Sequence, residues 1–495
     1  MEYKLTKSKY CKGMQCPKML WLDEHHPERG EEATSQSVLD NGTKVGELAR
    51  AYFGEYELVA FNANQKEMMD RTRMLMRSTD NIAEASFRYD SLFCVVDILH
   101  RNGDGWDLVE VKSSTEVSDI NLEDAAFQYY VLTMCGVAVK SVYILHIDNT
   151  YVRGEQLDIK GLFVLEDCTD IAIRKFYEIK SDGRLDVMLK YINMPDEPEK
   201  DIDLCCDKPY PCAYKKYCGK HIPEYSVFNL ARMQAKKKYE LYHSGIVSYQ
   251  DILNNEAKIN ANQKRQVESV IYDKSDEYNI DEIKKFLATF SYPIYHLDFE
   301  TFQQAVPEFI GCHPYEQIPF QYSLHVEYED GRLEHFEFLA KEGGDPRRAL
   351  AERLVKDIPV GVCSAAYNMS FEKTVLRHLA EELPDLSSQL MDIHDNMHDL
   401  MIPFQKQYYY SKAMQGSYSI KYVLPALWPG DPKLDYHNLE GVHNGSEASA
   451  AFADMLNHTP EEIVAMRKNL LKYCELDTYA MVKVFKKLKE IAANN

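Results

Sequence analysis

Apolar residues along this chain fall into short β-like runs broken by turn sequences, and elsewhere into helical spacing. Three runs, Ala83 to Tyr89, Leu92 to His100 and Trp106 to Lys112, are separated by Asp90-Ser91 and by Asn102-Gly103-Asp104-Gly105, which predicts a three-stranded meander. A helix is expected over roughly 122–134 and an apolar strand over 142–147. In the second half, Ile294 to Leu297 predicts a strand, and Phe320 to Glu329 with Leu333 to Leu339 predict a hairpin turning at Asp330-Gly331. A helix near 347–356, a strand over 362–367, a helix opened by Asn368-Met369-Ser370-Phe371-Glu372 and a long helix carrying Tyr473 and Asp477 complete the pattern. Between about 228 and 287 the chain is polar, with heptad-like apolar positions around Lys236-Lys237-Lys238 and Lys264-Arg265, and reads as a solvated helical connector, with a DNA-guiding surface as the alternative. The fold class expected is α/β in two domains.

Length agrees with that division, because 495 residues exceed what one core usually organises. Hydrophobic residues at 45% and charged residues at 27% are ordinary for a folded soluble chain. No apolar run reaches membrane-spanning length, and Met1-Glu2-Tyr3-Lys4 does not start a secretory signal, so a cytoplasmic protein without a membrane partner is expected. In that setting the twelve cysteines are thiols or metal ligands rather than a disulfide framework. A net charge of −21 argues against extended, nonspecific binding to duplex. Any nucleic acid must be held by local basic grooves and by divalent metals.

Three groups of residues carry candidate chemistry. Glu110 and Lys112 are two apart on a strand and share a face, and Asp97 can meet them from the neighbouring strand. Two carboxylates can hold Mg²⁺ or Mn²⁺, and a lysine beside them can steady a water or a charged phosphorane. Gln128 follows on the next helix. In the second half, Asp298 and Glu300 project from one strand face, Glu372 stands at a strand-to-helix junction, and Tyr473 and Asp477, four apart, share a helical face. Each short motif alone describes a surface carboxylate equally well; their order on the right elements is the signal. Ser417-Tyr418-Ser419-Ile420-Lys421 fits a phosphate contact and a helix start with a solvated lysine equally.

The third group is Cys16 in Gln15-Cys16-Pro17-Lys18, followed much later by Cys206, Cys212 and Cys218 at equal spacing; Cys11 and Cys205 compete for the first and second places. Thiolates favour iron–sulfur or zinc, and the paired Cys-x2-Cys knuckles of four-cysteine zinc sites do not occur here, so iron–sulfur is preferred. Cys94, Cys135, Cys168, Cys312, Cys363 and Cys474 are expected to be small buried hydrophobes.

The order Asp97, Glu110-Val111-Lys112 and Gln128 resembles the PD-(D/E)XK nucleases, in particular the RecB-like branch that includes the CRISPR-associated exonucleases. The resemblance implies that Asp97 and Glu110 bind metal, that Lys112 is catalytic and that Gln128 supports them. The branch often carries a histidine in its first helix where Gly46 stands here. One early and three late cysteines are similar to the iron–sulfur members of that branch, which implies a 4Fe–4S cluster on Cys16, Cys206, Cys212 and Cys218. The second half resembles the DEDD exonucleases, of RNase H-like fold. That likeness implies that Asp298, Glu300, Glu372 and Asp477 hold two metals about 4 Å apart, with Tyr473 orienting the attacking water. Glu372 stands where aspartate is usual.

Taken with Gln15 to Leu22, Pro209 to Cys212 and Tyr473 to Thr478, nearly the whole chain resembles a bacterial family that joins an iron–sulfur RecB-like nuclease to a DEDD domain. The implied layout is 1–222 for the first nuclease, 223–287 for the connector and 288–495 for the second. The implied activity is metal-dependent hydrolysis of nucleic-acid phosphodiesters, exonucleolytic on single-stranded DNA ends, with DNA ahead of RNA. The alternative is a protein that binds nucleic-acid ends while one or both sites are inactive.

Overall fold

The computed structural model describes residues 4–31 and 36–493, with side chains from 41 onward in the second stretch. It is a mixed α/β chain that divides into two compact units: 1–222 together with 304–316, and 223–303 together with 317–495. The connector helices Ala235–His243, Tyr249–Asn254, Ala261–Ile271 and Ile280–Leu287 thus fall within the second unit. Among the described residues no helix is long and apolar enough to cross a membrane.

The first unit is built on a seven-stranded sheet: β1 (Leu5–Thr6), β2 (Glu57–Leu58), β3 (Asn81–Tyr89), β4 (Leu92–Asn102), β5 (Gly105–Lys112), β6 (Val139–Ile147) and β7 (Phe163–Asp167). Strands β2 to β7 lie in chain order, and β1 is added parallel to the start of β4. The meander formed as its turns predict, with Asp90 in the left-handed region at the first turn. The helix Asp119–Met134 is opened by a capping box between Ser118 and Asn121. Its buried face mixes Ala125, Phe127, Val131 and Leu132, which join the core, with Asp124 and Gln128. Tyr10, from the helix Lys7–Gln15, stacks on Phe127 at 4.7 Å.

The second unit holds β8 (Glu277–Tyr278), β9 (Ile294–Phe302), β10 (Ile318–Glu327), β11 (Leu333–Leu339), β12 (Cys363–Ala366), β13 (Met397–Asp399) and β14 (Tyr409–Tyr410). Its main sheet has the order β11-β10-β9-β12-β13, antiparallel across the first three and parallel across the last three, while β8 and β14 form a separate pair. The helix Pro460–Ala493 opens with Pro460 followed by Glu461 and Glu462, both suited to a helix N-terminus. Polar side chains fix it against β10: Gln321 Nε2 donates to the Leu470 carbonyl at 2.9 Å, and Thr478 Oγ1 lies 2.6 Å from Ser323 Oγ and 2.8 Å from His325 Nδ1. Because Ser323 is opposite Asp298 in the ladder and Gln321 opposite Glu300, these bonds set Tyr473 and Asp477 against the two strand carboxylates.

Candidate functional site

In the first unit, one edge of β4 changes partner. Leu92 and Phe93 pair with β1, Ile98 to Asn102 pair with β5, and Asp97 stands in the interval, where its Oδ2 accepts the Val111 N–H at 2.8 Å. Glu110, 1% exposed, is the centre of the cluster. Lys112 Nζ donates to Glu110 Oε1 and to Asp124 Oδ2, each at 2.7 Å, and Gln128 Nε2 bridges Glu110 Oε2 at 2.7 Å and Asp124 Oδ1 at 3.0 Å. Lys7, directly after β1, donates to both Glu110 oxygens at 3.0 and 3.1 Å and lies 3.5 Å from Asp97 Oδ1. Burial, then the Glu110 charge, push Asp97 up to about 7. Burial also acts to raise Glu110, but Lys112 and Lys7 hold it well below the usual carboxylate range.

All four residues expected at this site meet. Sequence reasoning missed Lys7 and Asp124. Asp124 was legible, being one helical turn before Gln128 on the same face; Lys7 was not, since 103 residues separate it from Glu110. At Gly46, in the helix Gln36–Ala49, an added Cβ meets no atom within 4 Å, so the backbone there leaves room for a side chain.

The second unit gathers Asp298 and Glu300 from β9, Glu372 from the first turn of the helix Ser370–Glu382, and Asp477 from the long helix. One ligand atom each from Asp298, Glu300 and Cys474 lies within 4.8 Å of the others. Burial and then the Asp477 charge raise Asp298 and Glu300 well above ordinary carboxylates. Burial, with Asp399 and Asp477 adding to it, pushes Glu372 up to about 8; burial takes Asp477 to about 6 against the pull of Tyr436 and Lys421. The Glu372 Oε2 atom is buried without a hydrogen-bond partner among the described residues. Such crowding of carboxylates at one ammonium, Lys421, is costly unless protons or cations enter.

Several groups here were not foreseen. Tyr436 donates to Asp477 Oδ1 at 2.6 Å, and the buried Tyr473 ring lies 6.1 Å from that of Tyr436, its hydroxyl also facing Asp477. Asp399, at the end of β13, accepts the N–H groups of Asn368 and Met401, each at 2.9 Å, and so holds Asn368 at a left-handed φ of 69° just before the Glu372 helix. Cys474 is fully buried as expected, yet its Sγ is 3.8 Å from Asp298 Oδ2. A helix, Ile420–Leu427, does start after Ser419, whose side chain makes no capping hydrogen bond, and Lys421 in its first turn sets Nζ 5.7 Å from the Tyr436 ring and lowers Glu300 and Asp477 by its charge. A cavity of about 830 Å³, lined by Lys421, Trp428, Tyr436 and His443 among others, adjoins this centre.

Cys16 stands between the helices Lys7–Gln15 and Pro17–His25 and packs in one apolar cluster with Cys205, Cys212 and Cys218, beside Trp21 and Tyr214. All twelve cysteines are free thiols. Burial raises the late ones, Cys212 to about 11; the Tyr214 N–H opposes it at Cys212 and Lys18 at Cys218, and the neighbouring thiols Cys206 and Cys16 then add to both, with Cys218 adding to Cys212. Cys16 acts on both Cys205 and Cys206, and of these two it is Cys205 that packs in the apolar cluster. Gln15 Nε2 stitches the early and late segments by donating to the carbonyls of Cys205 at 2.8 Å and Tyr210 at 2.7 Å. Of the six cysteines expected to be buried, Cys135 is exposed: it caps the C-terminus of the helix Asp119–Met134, where the chain turns out to solvent.

The chain is thus a mixed α/β protein with an acidic cluster in each unit. Residues 295–419 match the family described as a domain of unknown function, DUF2779. That span contains Asp298, Glu300, Glu372 and Asp399 and stops before Lys421, Tyr473 and Asp477. No curated protein matches the chain.

Proposed function

We propose that the second unit is a divalent-metal-dependent nuclease of the DEDD type on an RNase H-like fold, acting on single-stranded nucleic-acid ends, DNA ahead of RNA. The observation that carries this reading is the gathering of three buried carboxylates, Glu300, Glu372 and Asp477, with the half-buried Asp298, one of the four having an oxygen without a hydrogen-bond partner among the described residues, beside the ammonium of Lys421. Asp298, Glu300, Glu372 and Asp477 would hold two Mg²⁺ or Mn²⁺ ions, which when bound supply activation of water and stabilisation of the leaving oxygen. Tyr436 fixes Asp477 by its hydrogen bond, Tyr473 would orient a water beside it, and Lys421 would offer a cation to a phosphate at the rim.

The test is cleavage of 5′- and 3′-labelled single-stranded DNA and RNA with Mg²⁺ or Mn²⁺. The expected result is a metal-dependent ladder; its absence with both metals overturns the proposal. Tyr473→Phe keeps the buried ring and is expected to slow digestion by the second unit roughly 10- to 1000-fold, the usual worth of one positioned group. Metal binding, measured calorimetrically, should survive. Unchanged digestion with the first unit disabled by Lys112→Ala would reduce Tyr473 to a packing residue.

For the first unit we propose a PD-(D/E)XK-like nuclease closed by a 4Fe–4S cluster on Cys16, Cys206, Cys212 and Cys218, in a cytoplasmic protein. The free thiols fit such a group: Cys16 from the start of the unit packs with Cys205, Cys212 and Cys218 from its end, and Cys206 adjoins them. Asp97 and Glu110 are the residues that would hold its metal. A second reading for this unit, binding of ends without turnover, is favoured by Lys7, whose ammonium already occupies the space between those carboxylates. The two readings separate in Lys7→Ala. If Lys7 competes with metal, Mn²⁺ affinity at the first unit rises about 10-fold or more in an Asp298→Asn background, as expected for removing a close charge. Unaltered affinity means that Lys7 yields readily.

A further inference from the structure

The second unit contains another cavity, of about 510 Å³, between the connector at 228–232 and the segment 415–422. Its walls are tied together by hydrogen bonds. Gln266, 2% exposed, donates from Nε2 to the carbonyls of Asn229 and Gln415, each at 2.9 Å, and accepts the Ala231 N–H on Oε1 at 3.0 Å. Gly416 closes the floor at a left-handed φ of 74°, where any Cβ would meet Gln266 at 2.6 Å and Ala231 at 2.9 Å. On this frame the exposed Arg232 lays its guanidinium over the Tyr418 ring, 4.4 Å from the centroid, and Tyr422 stands 43% exposed at the rim. Arg232 makes no ion pair among the described residues, in a chain of net charge −21 where most other arginines are matched by a carboxylate.

The cavity is also tied to the acidic centre. Tyr367 donates to the Tyr418 carbonyl at 2.7 Å, and Tyr367 directly precedes Asn368, which Asp399 holds beside the Glu372 helix. Three residues after Tyr418, Lys421 sets its Nζ 5.7 Å from the ring of Tyr436, whose hydroxyl donates to Asp477 at 2.6 Å.

We propose that this cavity is a subsite for one nucleotide of an unpaired strand whose neighbouring phosphodiester lies at the acidic centre. The base stacks with Tyr418 and Arg232, and Arg232 also meets the phosphate. The volume suits one nucleotide. Stacking needs an exposed base face, so a single strand fits and a duplex does not. The inference rests on reading the acidic centre as a nuclease site.

The experiment measures anisotropy of labelled 12-nucleotide dT and rU strands and of a blunt 12-base-pair DNA duplex, in EDTA, with the full chain. Arg232→Asn, which tolerates the left-handed φ of 54° at that position, and Tyr418→Leu are the variants. Each is expected to weaken single-strand binding about 10-fold, the scale of one lost stacking partner, and to leave the duplex signal unchanged. A loss on dT alone, or on rU alone, identifies the strand chemistry. Single-strand affinity that Arg232→Asn leaves unchanged, an equal loss on duplex, or no single-strand binding by the parent overturns the subsite. Arg232 is exposed, so its variant remains readable should Tyr418→Leu unfold. Metal-dependent cleavage with unchanged binding by Arg232→Asn sinks the subsite and spares the nuclease reading. The expected binding loss in a protein that cleaves nothing does the reverse.

Discussion

Asp298→Asn is expected to reduce single-strand digestion by the second unit at least about 100-fold, the order lost when one preorganised electrostatic group is removed. The side chain stays nearly isosteric, so the loss reports charge. Asp298 is half-buried beside Asp477, Glu372 and Glu300, and each of them raises its proton affinity. Taking one charge from that set weakens the hold on divalent cations and also relieves repulsion in the metal-free protein. Two opposite effects on stability therefore follow. In EDTA the variant should melt a few degrees above the parent; on adding Mn²⁺ it should show a smaller rise. A variant that melts lower in EDTA and still gains the full Mn²⁺ increment would show that these carboxylates do not share a cation.

The sign of the pH dependence provides a further check on the same metal-free protein. Folding raises these carboxyl groups above their unfolded values, with Asp477 near 6 and Glu372 near 8. The folded state thus holds protons that the unfolded state releases, and its stability falls as pH rises from the ordinary carboxylate range through those values. In EDTA the melting temperature should decline between about pH 5 and 8, and Asp298→Asn should flatten the decline.

Cys212→Ser is expected to have the largest effect on stability. Protein purified without oxygen should be brown and contain iron and sulfide, and the variant should be colourless. Ligation by thiols from both ends of the first unit makes cluster binding part of folding energy. Its loss should lower the melting temperature of that unit by roughly 10 °C, since each kcal/mol is worth about 2–4 °C in a domain of this size. The same substitution at Cys135, exposed and remote from the apolar cluster around Cys16, should change neither colour nor melting. Stoichiometric zinc in place of iron would falsify the cluster assignment.

Much of the architecture could be read from local pattern. The meander over β3 to β5, the β10–β11 hairpin and the helix after Asn368 formed where alternation and turn residues indicated, with ends shifted by a few residues. Within the sites, spacing identified residues on one element: Glu110 with Lys112 on a strand, Asp298 with Glu300 on another, Tyr473 with Asp477 on a helix. Period-2 and period-3.6 geometry holds whatever the rest of the chain does.

What the sequence alone determined, then, was which residues share a face and in what order the elements run. Tertiary structure decided the partners that cross between elements. Lys7 reaches Glu110 because β1 pairs with the start of β4 and leaves the interval at Asp97. Tyr436 reaches Asp477, and Asp399 reaches Asn368, across 41 and 31 residues of chain. The cavity at Arg232 exists because buried Gln266 bonds to two segments distant in sequence. No periodicity encodes such pairings: they depend on how closed elements stack, and the charge balance of each site, near neutral around Glu110 and strongly acidic around Asp298, emerges only after that stacking.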